Sequence, residues 1–174
     1  MDLVFQKFLE ANWQHAKELA SASDMVELMP LGSAPPRVVL ARFHAGCYIK
    51  TPSGIRVRKG FTVGYRFPEQ YLSSSHVMPL EALQFLEPAN VFHPNIRPPG
   101  ICLGLALKPG TELRELLFRV YELVTYQRRS NPADPLNPEA CQWVRTNWPV
   151  KPADARPLKW RAGQEEENSA HAGT

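Results

Sequence analysis

The residues best suited to chemistry lie in one short segment, Val91 to Leu103, which reads VFHPNIRPPGICL. It contains a thiol at Cys102, a carboxamide at Asn95 and an imidazole at His93. Three prolines and a glycine exclude a helix or a central strand, because proline removes a backbone donor and glycine admits positive φ. We therefore expect an ordered loop, here called the site loop, in which the thiol and the amide share one site.

Two simpler explanations remain open for this segment taken alone. A cysteine between Ile101 and Leu103 is by default a small core residue, because cysteine is among the residue types most often buried. His93-Pro94-Asn95 is also compatible with an ordinary turn, in which Asn and Pro serve the backbone. The choice between these explanations and a functional site depends on the rest of the chain.

A second motif lies downstream, where residues 131–140 read NPADPLNPEA. His-Pro-Asn followed by a cysteine in an Ile-Cys-Leu context resembles the active-site motif of the ubiquitin-conjugating enzymes, and the downstream motif resembles that family's loop and following helix. The resemblance covers most of Met25 to Asn147 and is clearest in the second half. It implies an α+β domain with a ubiquitin-conjugating-enzyme-like fold. Such a fold has an N-terminal helix, a four-stranded antiparallel meander, the active-site loop, a central helix and a shorter C-terminal helix.

The resemblance also implies roles for individual residues. Cys102 accepts the C-terminus of a ubiquitin-like protein as a thioester from an activating enzyme, then transfers it to a lysine amine of a protein target. Asn95 stiffens the loop and donates a hydrogen bond to the tetrahedral intermediate. Asp134 orients the incoming ammonium and helps it lose its proton. His93 and Pro94 are structural at the site, and no cofactor or metal ion is implied.

Thioester exchange is nearly balanced in energy, so an acceptor of this kind needs no strong base beside its cysteine. A hydrolase-type cysteine is normally paired with a histidine that forms its thiolate. The resemblance implies no such pairing for Cys102, because it makes His93, which precedes Asn95 on the same loop, structural rather than a base. This difference favours thioester transfer over an unrelated thiol enzyme, which is the weakest of three alternatives.

The second alternative is a catalytically silent relative that binds ubiquitin-like proteins or scaffolds a complex. Joint retention of Cys102, Asn95 and Asp134 disfavours it, since silent relatives typically lose the cysteine. Three departures from the family are also present: a His93 to Cys102 spacing one residue short, Gly104 in place of an acid, and a short connection at 105–109. With these departures, the chain resembles the bacterial members of the family, which are encoded beside an activating enzyme and a ubiquitin-like protein in antiviral operons.

An amphipathic N-terminal helix begins after Asp2, its predicted cap. Its apolar stripe is formed by residues three and four apart, namely Phe5, Phe8, Leu9, Trp13, Ala16 and Leu19. In the resembled family this helix presents basic residues to the activating enzyme, which implicates Lys7 and Lys17 in partner binding. Acids are interspersed with these bases, so a solvated charged face is the stronger interpretation.

Four strands and two further helices complete the predicted domain. The strands are Met25–Met29, Arg37–Phe43, Phe61–Phe67 and Leu83–Leu86. The central helix follows a predicted cap at Thr111, with Arg128 and Arg129 near its last turn. A last helix follows Asn137 as cap and Pro138 as first helical residue, and it places Ala140, Trp143 and Val144 inward.

Composition limits the other possibilities. A chain of 174 residues with 44% hydrophobic content is long and apolar enough for one globular domain with a sizeable core. Its formal charge of +3 is modest. No basic stripe with interleaved aromatics supports nucleic-acid binding. Three cysteines without metal spacing and the lack of a long apolar run predict a cytoplasmic protein that contacts no membrane. The catalytic domain is predicted at 1–160, and a disordered acidic and polar tail at 161–174.

Overall fold

The computed structural model describes residues 2–73, 79–104, 107–128 and 132–159. Its helices are α1 (Leu3–Ala22), α2 (Pro79–Ala82), α3 (Leu113–Val124) and α4 (Pro138–Thr146), with a 3₁₀ turn at Glu69–Leu72. Its strands are β1 (Val26–Leu31), β2 (Val38–Thr51), β3 (Gly54–Arg66), β4 (Leu83–Glu87), β5 (Ile96–Arg97) and β6 (Gly100–Ile101). This succession of elements confirms the predicted α+β class.

The main sheet contains β1, β2, β3 and β4 in sequence order, and each strand is antiparallel to the next. The predicted four-stranded meander is therefore confirmed. A tight turn joins β2 to β3, where Gly54 takes a φ of 110° and Thr51 Oγ1 donates to the Gly54 carbonyl at 2.8 Å. Glycine suits this position because it adopts positive φ at little cost.

The two central strands are longer than the sequence predicts. The predicted second strand ends at Phe43, but β2 continues to Thr51. Its pairing with β3 shifts register between Phe43 and Gly46, which is the pattern of a β-bulge. Residues 45–47 are consecutively buried at the bulge, so the alternation of apolar and polar residues that marks a strand is lost there.

Helix α1 begins at its predicted cap, since Asp2 Oδ1 accepts the Val4 N–H at 3.1 Å. Its buried face includes Phe5, Leu9, Ala16 and Leu19, as the spacing predicts, and also Asn12. The Asn12 side chain accepts the Leu113 N–H at 2.6 Å. An α1 side chain therefore satisfies one of the backbone donors that are left unpaired at the start of α3.

The predicted cap of the central helix is wrong. The N-cap of α3 is Glu112, and its side chain makes no capping hydrogen bond. Thr111 instead belongs to the preceding turn, where its Oγ1 donates to the Lys108 carbonyl at 2.8 Å. Helix α3 also ends at Val124, so Arg128 lies beyond its last turn, and Arg129 falls outside the described residues.

Helix α4 begins as predicted, with Asn137 Oδ1 accepting the Ala140 N–H at 3.0 Å and Pro138 in the first turn. Ala140, Cys141 and Val144 are buried. Trp143 is half-buried, with its ring 5.4 Å from the Tyr48 ring. The helix therefore packs one face against β2, close to the beginning of the site loop.

Residues 148–159, here called the strap, contain no helix and run over β2 and the end of α3. The Ala153 N–H donates to the Thr125 carbonyl at 2.8 Å, and the Gly46 N–H donates to Asp154 Oδ2 at 3.1 Å. A Cβ at Gly46 would lie 2.3 Å from the Ala153 carbonyl oxygen, so only glycine allows this close approach. The strap is thus part of the folded domain as far as the buried Leu158.

The proposed tail at 161–174 and Trp160 lie outside the described residues. Within the described ranges, no helix is both long enough and apolar enough to cross a membrane.

Candidate functional site

The site loop folds into a small hairpin that ends at Cys102. Strands β5 and β6 pair antiparallel, with Ile96 opposite Ile101, and both isoleucine side chains are buried. Pro98 and Pro99 form the turn between the two strands. The Pro99 carbonyl accepts the Phe85 N–H from β4 at 2.9 Å, so the hairpin is attached to the edge of the main sheet.

Asn95 and Cys102 face each other at the open end of this hairpin. The Cys102 N–H donates to the Asn95 carbonyl at 2.9 Å, and Asn95 Nδ2 donates to the Cys102 carbonyl at 3.0 Å. Asn95 is 6% exposed, whereas Cys102 is half-buried. The cysteine backbone is therefore held by both the main chain and the side chain of Asn95.

Cys102 is the only one of the three thiols in the chain that is more than marginally exposed. Cys47 and Cys141 are both buried. Burial raises the pKa of the Cys47 thiol to about 12, and nearby Arg58 offsets only part of that effect. A thiolate forms much less readily in such an apolar setting. Of the three thiols, Cys102 is thus the one placed to meet a second macromolecule.

His93 is fully buried behind the hairpin. Its Nδ1 accepts the Asn95 N–H at 3.1 Å, which assigns the neutral tautomer with the proton on Nε2. Burial lowers the pKa of His93 to about 3, and the nearby Leu123 backbone offsets only part of this shift. Among the described residues, the buried Nε2 has no hydrogen-bond partner. The imidazole is therefore neutral near pH 7, and its Nδ1 lone pair is already committed to the loop.

Tyr126 supports His93, and the sequence analysis did not single it out. Its hydroxyl donates to the Phe92 carbonyl at 2.9 Å, and its ring centre lies 4.4 Å from that of His93. The backbone of Tyr126 has a φ of 60°, an unfavourable region for any residue but glycine. A tyrosine just after an apolar helix looks like ordinary core in sequence, so no local pattern identifies this role.

Pro94 connects the site loop to the start of α4, because its carbonyl accepts the Asn137 N–H at 3.1 Å. Asp134 lies three residues before Asn137 in an exposed bend. A chain of that length spans at most about 11 Å, so the Asp134 backbone remains in the neighbourhood of the loop. Within the described residues, no hydrogen bond or ion pair joins Asp134 to Cys102.

Lys7 and Lys17 both make contacts within α1. Lys7 Nζ pairs with Glu10 at 2.8 Å, and Lys17 Nζ lies 6.0 Å from the centre of the Trp13 ring. Both lysines are exposed. The structure thus brings together Cys102, Asn95, His93 and Pro94 but adds neither lysine to that group.

The arrangement suits a nucleophile that needs no adjacent base. Cys102 is only half-buried, its backbone is fixed, and the nearby imidazole is buried and neutral. Among the described residues, no three His, Cys, Asp or Glu side chains are grouped so that they could hold a metal ion. Comparison of the chain with protein-family models gives no match, and comparison with curated proteins gives none either.

Proposed function

We propose that this protein conjugates a ubiquitin-like protein to targets through a thioester on Cys102. The observation that carries the proposal is the pair of hydrogen bonds between Asn95 and Cys102 within the His-Pro-Asn and Ile-Cys-Leu segments. The proposal also includes the ubiquitin-conjugating-enzyme-like fold and a bacterial antiviral setting. Its partners are an activating enzyme, a ubiquitin-like protein and a protein target.

In the charging step, the Cys102 thiolate attacks the thioester carbonyl carbon that links the ubiquitin-like protein to the activating enzyme. A new C–S bond to Cys102 forms, and the C–S bond to the activating enzyme breaks. The departing thiolate takes up a proton. One thioester replaces another, so the step needs no strong base, which agrees with a neutral and buried His93.

In the transfer step, a lysine amine of the target attacks the thioester carbonyl on Cys102. The C–N bond forms, the C–S bond breaks, and the amine releases a proton while Cys102 regains its thiol. Asn95 acts here by fixing the Cys102 backbone, because its Nδ2 donates to the Cys102 carbonyl. It is also the proposed amide donor to the developing oxyanion. The rigidity of the hairpin keeps that donor in place during the attack.

Asp134 is the proposed carboxylate for the incoming lysine. It is exposed and precedes the α4 cap that contacts the site loop, so an approaching ammonium can meet it from solvent. A carboxylate there orients the ammonium and accepts its proton. This role predicts a transfer defect that depends on whether the amine still carries a proton.

The first experiment is a non-reducing gel of the full chain incubated with ATP, the activating enzyme and the processed ubiquitin-like protein encoded beside its gene. We expect an adduct that reductant removes, that is absent in Cys102→Ala and that persists in Cys47→Ala. A Cys102→Ala variant that still formed the reductant-sensitive adduct would overturn the assignment. The absence of any adduct, with the activating enzyme itself charged, would favour the alternative of a silent module that binds ubiquitin-like proteins.

The role of Asp134 is tested by discharge of the charged enzyme onto free lysine. Asp134→Ala should slow discharge by about a hundredfold near neutral pH, and the defect should shrink as the pH approaches the lysine pKa. Glu139→Ala is the matched control, because Glu139 is an exposed acid that pairs with Lys50. An equal defect in both variants, or a defect independent of pH, would remove Asp134 from the mechanism.

A further inference from the structure

A groove with mostly basic walls lies on the main sheet, and the proposed conjugation chemistry does not use it. It has a volume of about 410 Å³ and is bordered by β2, β3, the end of β4 and the strap. Its basic lining residues are Arg42, His44, Arg58, Lys59 and Arg156. Of the described residues, only Glu87 contributes a carboxylate to its lining. We call it the basic groove.

The bulge in β2 coincides with this groove. The register of β2 and β3 shifts between Phe43 and Gly46, which sets His44 and Ala45 opposite the single residue Gly60. Gly60 has a φ of 88°, a conformation that favours glycine. A bulge bends the strand pair and redirects its side chains, so the local backbone forms a depression at this point.

The strap supplies one wall of the groove in a fixed position. Arg156 Nε and Nη2 donate to the two carboxylate oxygens of Asp154 at 3.0 and 2.8 Å, and Nη2 also donates to the His44 carbonyl at 3.1 Å. The Arg156 guanidinium holds the pKa of the Asp154 carboxyl at about 2, so this pair is ionised at any ordinary pH. Arg156 therefore adds rigidity and hydrogen-bond donors to the groove but little net charge.

The net charge comes from the two strands. His44 pairs with Glu27 and Arg156 with Asp154, but no carboxylate of the described residues lies within ion-pair distance of Arg42, Arg58 or Lys59. These three cations exceed the single charge of Glu87. The basic groove is thus a local excess of positive charge on a shaped surface.

A peptide fits this surface better than a nucleic-acid backbone does. Glu87 lies in the lining and would repel a continuous row of phosphates. A polypeptide, in contrast, presents carboxylates to the arginines and can turn backbone N–H donors toward Glu87. The small volume also suits a few residues of an extended chain rather than a duplex.

We propose that the basic groove binds an acidic segment of a partner protein, whose carboxylates pair with Arg42, Arg58 and Lys59. Such a segment would be extended and would contain closely spaced Asp or Glu residues. The site is separate from Cys102, so the proposal does not depend on thioester chemistry. If acidic peptides do not bind the basic groove, the proposed conjugation through Cys102 is unaffected, and the reverse also holds.

The test is fluorescence anisotropy of the full chain with a short labelled peptide of alternating acidic and small residues, at low ionic strength. The matched probe replaces every Asp and Glu by Asn and Gln. The double variant Arg58→Glu and Lys59→Glu should weaken binding of the acidic peptide by about thirtyfold, since two attractions become repulsions. The milder pair Arg58→Gln and Lys59→Gln should weaken it about fivefold.

The control is the double variant Lys108→Glu and Arg128→Glu, which makes the same change in net charge at exposed positions outside the groove. It should bind the acidic peptide nearly as well as the parent chain. An equal loss in this control, or equal binding of the neutral probe, would overturn the proposal. So would tighter binding of single-stranded DNA of the same charge, provided that thermal melting shows all variants folded.

Discussion

Asn95 and Cys102 are joined by two hydrogen bonds that run in opposite directions across the open end of the site hairpin. The Cys102 N–H donates to the Asn95 carbonyl, and the Asn95 amide donates to the Cys102 carbonyl. The Asn95 N–H is itself bound by His93 Nδ1. A displacement of the Cys102 backbone therefore breaks hydrogen bonds with Asn95. A substitution at Asn95 should accordingly alter the position of the Cys102 thiol.

We predict that Asn95→Ala slows transfer from charged Cys102 to lysine by about 10²–10³, the cost of losing one oxyanion donor at other enzymes. Charging itself should be less affected, because thioester exchange makes smaller demands on the site. The measurement is single-turnover discharge of a pre-charged enzyme onto free lysine, with charging followed separately.

Asn95→Asp is the informative companion variant. It keeps the shape of the side chain but replaces the donor toward the Cys102 carbonyl by a carboxylate oxygen. It should therefore discharge about as slowly as Asn95→Ala. A variant with near-normal discharge would mean that the amide donor is dispensable, and the proposed role of Asn95 would be lost.

The local features of the site are those that the sequence could predict. Cys102, Asn95 and His93 are close along the chain, and proline and glycine restrict the backbone between them. The cap of α4 at Asn137 is also a local pattern. Such features depend on short-range sterics and hydrogen bonds, which residue type and spacing largely determine.

The features that sequence reasoning missed depend on contacts between distant parts of the chain. Asn12 caps α3 from α1, a separation that no periodicity reveals. The Tyr126 hydroxyl donates to the Phe92 carbonyl, and position 46 must be glycine because the Ala153 carbonyl lies against it. None of these partners can be chosen before the tertiary arrangement is known. The bulge in β2 was missed for a related reason, because it removes the alternation by which a strand is recognised.

A second prediction concerns the reactivity of the three thiols. Iodoacetamide should add to Cys102 alone in the native protein, because Cys47 and Cys141 are buried and burial raises the pKa of Cys47 to about 12. Intact mass spectrometry should show one adduct in the parent chain and none in Cys102→Ala over the same time. Unfolded protein should take up an adduct on every cysteine. Rapid native labelling at Cys47 or Cys141 would contradict the described burial.

A third prediction follows from the depressed pKa of His93. Its pKa is about 3 in the folded protein, against 6.5 for an ordinary histidine, with burial as the main cause. Between these values the unfolded chain binds a proton that the folded chain does not. The contribution of neutral His93 to the free energy of unfolding is therefore fully present above pH 6.5 and is lost as the pH decreases below that value. The free energy of unfolding should fall by roughly 1.4 kcal/mol per pH unit until the pH nears the folded value.

The measurement for His93 is urea unfolding at several pH values, in the parent chain and in His93→Gln. Carboxylates that titrate in the same range contribute to both proteins, so the difference between the two pH slopes isolates the histidine. His93→Gln should have the shallower slope below pH 6.5. Parallel slopes would show that His93 has no depressed pKa.

The last prediction compares two tyrosine hydroxyls that each donate to a carbonyl at 2.9 Å. Tyr126 donates to Phe92 in a buried setting, whereas Tyr48 donates to Lys151 at the surface. Removing the Tyr126 hydroxyl leaves a buried carbonyl unpaired, so Tyr126→Phe should lower the free energy of unfolding by about 1–3 kcal/mol. Tyr48→Phe should cost about 0.5 kcal/mol or less, because water can replace the lost donor.

Urea unfolding midpoints of the two variants, at unchanged slope with denaturant, give the comparison directly. Tyr126→Phe keeps the ring that packs on His93, so the difference reports the hydroxyl rather than the aromatic contact. The loss at Tyr126 should also speed hydrogen exchange of the Asn95 N–H, because Phe92 and Asn95 lie on the same site loop. Equal destabilisation by both variants would mean that the Phe92 carbonyl is solvated, and Tyr126 would then have no special part in fixing the site loop.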